Sequence, residues 1–448
     1  MNRSLLSATV IAALGGLLFG FDTAVISGTT QWLKEIYQLG PFWLGFTVAS
    51  ALIGTIVGAI TAGRPADRFG RRNVLFEIAL LYFFSALGSA FAWDWTSFLF
   101  FRFIGGLGVG GASVVSPMYI AEISPARLRG RLVAVTQFNI VFGILLAFFS
   151  NYVVAQFGLG EIEWRWMFGV EIVPAVAFFF LLFLTPRSPR WLVTQNRLYE
   201  AREVLQRLGT DTGDVEREID DIQASLNLAR HSIREPFFRK AYRQPIMLAV
   251  AIAAFNQLSG INALMYYAPH IFKMAGAGED SALLQSVAVG GTNLVFTMLA
   301  MGVIDHLGRR KLMLAGSIGY IISLGATACA FYVYGTEFTT AGSIVVLLSL
   351  LVFIASHAFG QGAVIWVFIS EIFPNRVRAR GQALGSFTHW FMAALISWTF
   401  PIVAEQSGGN AFAFYAVMMI LQLLWVVIIM PETKGVPLEE IQKRLGIE

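Results

Sequence analysis

The sequence has few charged residues and almost no cysteine, and both shortages restrict the class of protein. Only 13% of the 448 residues are charged and a single residue is cysteine, whereas soluble globular chains carry about 25% charged residues. The lone Cys329 excludes an intramolecular disulfide. Hydrophobic residues make up 56% of the chain, more than one buried core holds at this length. We therefore expect lipid to surround much of the chain, and the composition excludes disordered and disulfide-scaffold proteins.

The hydrophobic residues fall into twelve stretches that are each long enough to cross a bilayer, which takes about 20 mostly apolar residues. We predict an all-α membrane protein whose spans 1 to 12, numbered in chain order, cover residues 5–28, 44–63, 74–93, 96–121, 131–154, 165–185, 244–270, 283–303, 311–334, 341–370, 381–404 and 410–430. The first stretch is longer than the apolar core of a signal peptide and contains Asp22, so we interpret it as a retained helix.

The positions of lysine and arginine predict the orientation of the chain. All of the 32 basic residues lie in the two tails or in loops that follow even-numbered spans, except Lys34, Arg102, Arg165 and Lys273. Because basic residues favour cytoplasmic loops, we expect a multi-pass protein of the plasma membrane with both termini cytoplasmic. The same asymmetry accounts for the net charge of +4, so the charge gives no reason to expect nucleic acid as a partner.

Three loops recur in the same order in the two halves of the chain. The segments GRPADRFGRR (63–72), EISPARLRG (122–130) and PRSPR (186–190) are answered by GVIDHLGRR (302–310), EIFPNRVRARG (371–381) and PETKG (431–435). This repetition predicts two pseudo-symmetric six-helix bundles, residues 1–185 and 244–430, with short cytoplasmic linker helices at 186–243 and a cytoplasmic tail at 431–448. Transporters built from such repeats bind substrate near the midplane between them.

The repeated loops place acidic residues beside arginines, although topology alone requires only the basic ones. Arginine and a carboxylate form bidentate charged hydrogen bonds. We therefore predict a cytoplasmic latch that closes the inward gate, formed by Asp67, Arg71, Glu122, Arg129, Asp305, Arg309, Glu371 and Arg380. The alternative is that the loops carry topogenic positive charge and nothing more.

Further motifs accompany the repeated loops in one fixed order. They are GGLLFGFD (15–22) and ISG (26–28) in span 1, Arg102 with Gly105 and Gly106 in span 4, and QLSGIN (257–262) followed by Tyr266 and Tyr267 in span 7. Over almost its whole length the chain thus resembles the sugar porters of the major facilitator superfamily, which include bacterial proton-coupled xylose, arabinose and glucose symporters and facilitative glucose carriers. The resemblance implies the major facilitator fold and alternating access.

Three ionisable residues lie well inside predicted spans of the first bundle: Asp22, Arg102 and Glu171. Glu77 is close to the cytoplasmic end of span 3, and we interpret it as structural. Each of the three costs at least ~2.5 to 3.5 kcal/mol in a membrane, so they are candidates for function. All three lie at a depth of roughly 10 Å. We predict that Asp22 pairs with Arg102, that protonation of Asp22 weakens the pair, and that Glu171 competes for Arg102. The alternative is a static neutralised cluster. In the family, symporters tend to have Asp at position 22 and facilitators Asn, which favours symport.

A sugar needs amides for its hydroxyls and aromatic surface for its ring. The predicted spans contain both, and the resemblance implies that the sugar contacts Gln137, Gln257, Asn262, Asn293, Trp366 and Trp390, with Phe19 and Tyr266 lining the cavity or its outer gate. Asn256 and His389 stand where the family usually has amides, and we include both as candidates. Since Gly260 interrupts span 7, we expect an unwound turn there. Two positions depart from the family pattern: Arg187, after span 6, stands in place of Glu, and Ala363, in span 10, stands in place of Pro.

The favoured function is import of a pentose or hexose together with a proton. The expected partners are a monosaccharide, the proton and the lipid bilayer, and we expect a monomer. A proton-independent facilitator and a transporter-like sugar sensor are the alternatives. We expect no enzyme activity, cofactor or metal, because the five histidines are scattered without ligand spacing and no nucleotide-binding loop is present.

Overall fold

The structure, a computed structural model, describes residues 2–125, 127–210, 214–232, 236–374, 376–436 and 438–447. Ala126 and Asn375 of the repeated loops lie outside this range. In the described residues, twelve helical segments are long and apolar enough to cross a membrane: Arg3–Gly28, Pro41–Thr61, Arg71–Ala90, Trp95–Ile123, Arg129–Ala155, Gly160–Leu184, Lys240–Met274, Glu279–Leu307, Arg309–Tyr334, Thr340–Ile372, Arg378–Gln406 and Gly408–Ile428. The prediction of an all-α protein with twelve spans is therefore confirmed.

Four of the spans are interrupted rather than continuous helices. Span 1 ends in a 3-10 turn, span 6 breaks in its middle, and spans 7 and 10 each consist of two main helices. Their pieces are Arg3–Val25 with Ile26–Gly28; Gly160–Ile162, Glu163–Gly169, Ile172–Leu181 and Leu182–Leu184; Lys240–Tyr242, Arg243–Leu258 and Ile261–Met274; and Thr340–Phe359 with Gln361–Ile372. A broken helix frees backbone groups and re-aims side chains, so these interruptions are where polar sites are expected inside a membrane.

Short helices occupy the loops outside the spans: Thr30–Ile36, Gly63–Phe69, Pro189–Thr194, Leu198–Arg207, Val215–Ser232 and Leu438–Arg444. Three of them lie in the predicted linker and pack on a small apolar core that contains Trp191, Leu205 and Ile219. A hydrogen bond of 2.5 Å from Arg202 Nε to Glu216 Oε1 joins the second and third linker helices. This bond holds the pKa of the Glu216 carboxyl below its usual value.

By their contacts the residues form two compact units. Unit 1 consists of Met1–Thr23, Ser50–Ala147 and Trp164–Arg234, and unit 2 of Ala24–Ala49, Phe148–Glu163 and Glu235–Glu448. The predicted bundles follow the sequence repeat, whereas the units follow packing. The two divisions differ because one end of spans 1, 2 and 5 packs within unit 2.

Aromatic rings and close backbone contact bring span 2 against span 11 in unit 2. The Trp398 ring lies 5.3 Å from the Phe42 ring and 5.0 Å from the Phe46 ring, and Trp398 Nε1 donates to the Phe42 carbonyl at 3.2 Å. A Cβ at Gly45 would lie 2.0 Å from the Trp398 carbonyl oxygen, so only glycine permits this approach. Nearby, Lys34 Nζ and Glu405 Oε1 are 3.5 Å apart. These contacts hold the start of span 2 against span 11 in unit 2.

Candidate functional site

Span 4 positions Arg102 in unit 1, and a capping box fixes where this helix begins. The Asp94 carboxylate accepts a hydrogen bond of 2.7 Å from the backbone N–H of Ser97, while the Ser97 hydroxyl oxygen accepts one of 3.1 Å from the backbone N–H of Asp94. The bond from the Ser97 backbone holds the pKa of Asp94 below its usual value. With its start fixed in this way, the helix carries Arg102 two turns into the bundle.

Asp22 and Arg102 form a buried ion pair. Arg102 Nη1 donates to Asp22 Oδ1 at 2.6 Å, and Nη2 donates to the Asp22 backbone oxygen at 3.2 Å and to Oδ2 at 3.4 Å. Both residues are 1% exposed, and the guanidinium lies 5.3 Å from the centre of the Phe168 ring. The structure thus contains the predicted contact. Burial makes each charge depend on the other, because removing one partner leaves an uncompensated charge in the interior.

Glu171 lies at the break in span 6. The first helix of the span ends at Gly169, and the second begins at Ile172 with Glu171 as its N-cap. Pro174 follows three residues later, and because it has no backbone N–H it removes a helical hydrogen bond next to this break. Glu171 is fully buried, and both of its carboxylate oxygens have no hydrogen-bond partner among the described residues. Glu171 therefore does not bond to Arg102 in this structure, and its competition for that cation stays a prediction.

The break in span 7 lies at Gly260, where the sequence predicts it. Gly260 has a φ of +85°, a left-handed conformation that strains other residues, and a Cβ there would lie 2.5 Å from the Tyr415 ring. The first helix ends at Leu258 and the second begins at Ile261. This turn brings Gln257 and Asn262 together, although they are five residues apart in sequence.

A chain of hydrogen bonds links the candidate amides of unit 2. Asn262 Nδ2 donates to Gln257 Oε1 at 2.8 Å, and Gln257 Nε2 donates to Asn256 Oδ1 at 2.9 Å. Gln257 Nε2 also lies 3.3 Å from both ring nitrogens of His389. We call Asn256, Gln257, Asn262 and His389 the amide cluster. Its members offer several donors and acceptors to a polyhydroxyl ligand.

Two tryptophans lie beside the amide cluster. The Trp366 ring is 5.1 Å from the His389 ring, and the Trp390 ring is 4.9 Å from it. Trp366 is 37% exposed whereas Trp390 is buried. An accessible indole beside polar groups is the surface that a sugar ring requires, so Trp366 offers the clearer stacking face.

The other predicted sugar contacts lie in different surroundings. Asn293 accepts a hydrogen bond of 3.4 Å from Thr297 on its own helix, and Tyr266 is buried in unit 2. Gln137 is half-buried in unit 1, where Phe19 packs against the apolar core. Their contact with a sugar stays a prediction.

The predicted latch arginines pair with acids inside each unit. In unit 1, Arg71 Nη2 lies 2.9 Å from both Asp67 Oδ1 and Glu122 Oε1. In unit 2, Arg309 Nη1 lies 3.1 Å from Asp305 Oδ1, and its Nη2 lies 2.7 Å from Glu371 Oε1. Each half thus contains, at the equivalent position, one arginine that lies between two carboxylates.

Two latch arginines have contacts of another kind. Arg129 Nε donates to the Ala121 carbonyl at 3.1 Å, because the last turn of the span 4 helix leaves backbone oxygens without partners in that helix. The Arg380 guanidinium lies 5.8 Å from the centre of the Phe237 ring. The roles of Arg129 and Arg380 in the latch stay predictions.

Sequence reasoning missed the hydroxyls that complete both charge clusters. The Ser188 hydroxyl donates to Glu122 Oε2 at 2.5 Å, and the Thr433 hydroxyl donates to Glu371 Oε2 at 2.6 Å. The signal was present, since Ser188 and Thr433 hold the same place, third, in the repeated segments that begin at 186 and 431.

Arg187, which stands where the family usually has Glu, makes different contacts from Glu432 at the equivalent place in the second half. At the equivalent place in the second half, Glu432 accepts hydrogen bonds of 3.0 Å from the backbone N–H groups of Arg309 and Arg310. Arg187 cannot accept such bonds, and its guanidinium instead lies 5.8 Å from the centre of the Trp191 ring. The two loops therefore share their hydroxyl contact but differ in how they meet the next helix.

Span 10 breaks without the family's proline. The break lies at Gly360, between helices Thr340–Phe359 and Gln361–Ile372, and Ala363 is an ordinary residue of the second helix. Buried side chains brace this point, because Gln361 Nε2 donates to Gln422 Oε1 and Gln422 Nε2 donates to the Ser317 hydroxyl at 2.8 Å.

Comparison with known proteins agrees with this geometry. The sequence matches the family described as sugar (and other) transporter over residues 8–445. The chain belongs to this family. It is 40% identical to the D-xylose-proton symporter of Escherichia coli K12, covering 97% of this chain and 94% of that protein, and 38% identical to the arabinose-proton symporter of Bacillus subtilis, covering 96% and 93%. The chain is therefore a multi-pass membrane transporter and not an enzyme.

A solved structure of the E. coli xylose transporter in an inward-open conformation is similar to this one, with a TM-score of 0.87 and 37% identity, covering 98% of this chain and 99% of that one. The match extends over both repeats, so the major facilitator fold predicted from the repeated loops is confirmed.

The buried pair predicts that its two residues contribute to stability as a unit. Arg102→Met should lower the melting temperature of the purified protein strongly, because it leaves the Asp22 carboxylate buried without its cation, at a cost of about 3–5 kcal/mol. The double variant Asp22→Leu with Arg102→Met should recover much of this loss. The measurement is thermal unfolding in detergent. The pairing would be contradicted if the double variant melted no higher than Arg102→Met, or if its loss in melting temperature equalled the sum of the losses in the two single variants.

Proposed function

We propose that this protein is a secondary active transporter that imports a monosaccharide together with a proton by alternating access. The observation that carries the proposal is the Asp22–Arg102 pair, a titratable carboxylate bonded to a permanent cation in a membrane-spanning unit. A carrier that only equilibrates sugar has no need of such a group. The relatives named as xylose-proton and arabinose-proton symporters support the proton and the sugar class.

The pair offers a way to couple the proton to transport. Protonation removes the charge of Asp22 and converts a charge-assisted pair into a weaker contact. Span 1 and span 4 then lose the bond that joins them at this depth, and the bundle rearranges around bound sugar. Loss of the proton on the other side re-forms the pair and resets the carrier.

The amide cluster supplies the proposed sugar site in unit 2. Gln257 and Asn262 each have an amide that donates and accepts, which suits neighbouring hydroxyls of a pyranose. Their mutual hydrogen bonds hold them in place before the ligand arrives, so less conformational entropy is lost on binding. Trp366 would stack on the apolar face of the sugar. D-xylose is the first substrate to test, since relatives named as xylose transporters are among the most similar.

The orientation follows from the basic loops. Both termini and the arginine-rich loops would lie in the cytoplasm, and the Arg71 and Arg309 clusters would then act as the latch on the cytoplasmic side. Each cluster joins three elements of one bundle through a single guanidinium, so it would have to loosen when that side opens. The proposed working form is a monomer.

Asp22→Asn should separate coupling from sugar exchange. The amide keeps the size of the side chain but cannot take up a proton, so a symporter should lose uphill accumulation of D-xylose in proteoliposomes. Counterflow needs no net proton movement and should remain within about threefold of the wild type. If the variant still accumulates sugar against a gradient, the chain is driven by another group. Wild-type protein that equilibrates D-xylose without accumulating it would indicate a facilitator.

Gln257→Ala should weaken sugar binding without unfolding the protein. Loss of one or two hydrogen bonds costs about 1–3 kcal/mol, which corresponds to a KM for D-xylose roughly 5- to 160-fold higher. The matched control is Gln285→Ala, since Gln285 donates a hydrogen bond to the Ser281 hydroxyl on the exposed side of its own helix, away from the amide cluster. Counterflow measured over a range of sugar concentrations gives both KM values. An unchanged KM for Gln257→Ala would place the sugar elsewhere.

A further inference from the structure

Span 3 presents hydroxyls to the buried charges of unit 1. Tyr82, Ser85 and Ser89 are at most 1% exposed, and their side-chain oxygens have no hydrogen-bond partner among the described residues. The positions are three and four apart, so the three residues share one helix face. We call them the hydroxyl stripe. Buried polar groups are almost always bonded, so three unpaired hydroxyls on one face indicate a common purpose.

The charges opposite the stripe are also incompletely bonded. Arg102 Nε and both oxygens of Glu171 have no hydrogen-bond partner in the described part of the chain. Span 3 packs on span 4 and on the second helix of span 6, the spans to which Arg102 and Glu171 belong. Asp22 and, more weakly, Glu171 lie within electrostatic range of the Tyr82 hydroxyl. Spans 1, 4 and 6 thus contribute Asp22, Arg102 and Glu171 to the surroundings of the stripe.

Gly105 lies beside the hydroxyl stripe and Asp22, and its lack of a side chain leaves space between them. A Cβ added at Gly105 would lie 2.3 Å from the Ser85 hydroxyl oxygen and 3.2 Å from Asp22 Oδ1. These two oxygens are therefore no more than about 5.5 Å apart, a separation that one water molecule bridges. Any side chain at position 105 would fill the space between them, so glycine preserves a polar path at this point.

We propose that the hydroxyl stripe forms a proton path between Glu171 and Asp22, with Ser85 as its positioning residue at the Asp22 side and Tyr82 as a positioning residue between the two carboxylates. This inference rests on the proposed function, because it adds a route to the proton that the Asp22–Arg102 pair takes up. Water is the ligand of the stripe, and each buried water typically makes about three hydrogen bonds, which the orphaned hydroxyls and carboxylate oxygens supply.

The step conserves atoms and charge. A protonated Glu171 gives up its proton to the nearest oxygen of the path, each hydroxyl or water then accepts one proton and passes one on, and an Asp22 oxygen accepts the last. One O–H bond breaks at Glu171 and one forms at Asp22. The negative charge moves to Glu171, and Arg102 Nε offers it a donor that Asp22 does not use.

Tyr82→Phe and Ser85→Ala test the path in proteoliposomes with D-xylose. For both variants we expect accumulation under a fixed proton gradient to fall at least threefold and the pH of half-maximal accumulation to shift by 0.5 unit or more. Counterflow should stay within twofold of the wild type, because exchange moves no net proton. A purely structural role would lower accumulation and counterflow by the same factor and leave the pH profile in place.

Two control variants make the same chemical changes away from the charges. Ser323→Ala matches Ser85→Ala, since Ser323 holds the equivalent position of span 9 and bonds the Tyr320 carbonyl at 3.2 Å. Tyr332→Phe removes an exposed hydroxyl that bonds Asn410. Both should behave as the wild type. Unchanged pH profiles in Tyr82→Phe and Ser85→Ala, or parallel losses of both activities, would overturn the path. A wild type that accumulates no sugar would instead overturn the proposed function.

Discussion

The structure of unit 1 depends on one buried ion pair. Two opposite charges placed in a membrane are tolerable only while each bonds the other, because the low dielectric makes either one alone expensive. Asp22 and Arg102 meet this condition with three hydrogen bonds between a carboxylate, a backbone oxygen and a guanidinium. The capping box at Asp94, the break at Glu171 and the small residue at Gly105 all help to place the parts of this pair.

The two halves of the chain share one arrangement of charged residues in their loops but differ inside their bundles. Each has an arginine held between two acids at the start of a helix, with a hydroxyl from a later loop on the second acid. Inside the bundles the two halves contain different polar residues. The first half contains the buried charges, while the second contains a neutral cluster of amides around a glycine break. This division separates the proposed proton-coupling pair from the amides that suit a sugar.

Sequence reasoning predicted the features that are imposed by a large energetic cost in the membrane. Twelve spans, the Asp22–Arg102 contact and the break at Gly260 all follow from the expense of exposed backbone or charge in lipid. It does not give contacts that depend on side-chain direction. Arg129 donates to the Ala121 carbonyl, and Glu171 makes no hydrogen bond to Arg102 among the described residues, so the latch role of Arg129 and the competition of Glu171 stay predictions. The hydroxyls of Tyr82, Ser85 and Ser89 looked like ordinary helix residues, because only packing shows that they face charges.

The most direct test of the account follows protons rather than sugar. Proteoliposomes in weakly buffered medium with a pH electrode outside receive D-xylose without any imposed gradient. If the Asp22–Arg102 pair couples the two fluxes, sugar entry should make the external medium alkaline, and the signal should vanish in Asp22→Asn while xylose exchange continues. Sugar entry with no change in external pH, or the same alkalinisation in Asp22→Asn, would contradict the central claim.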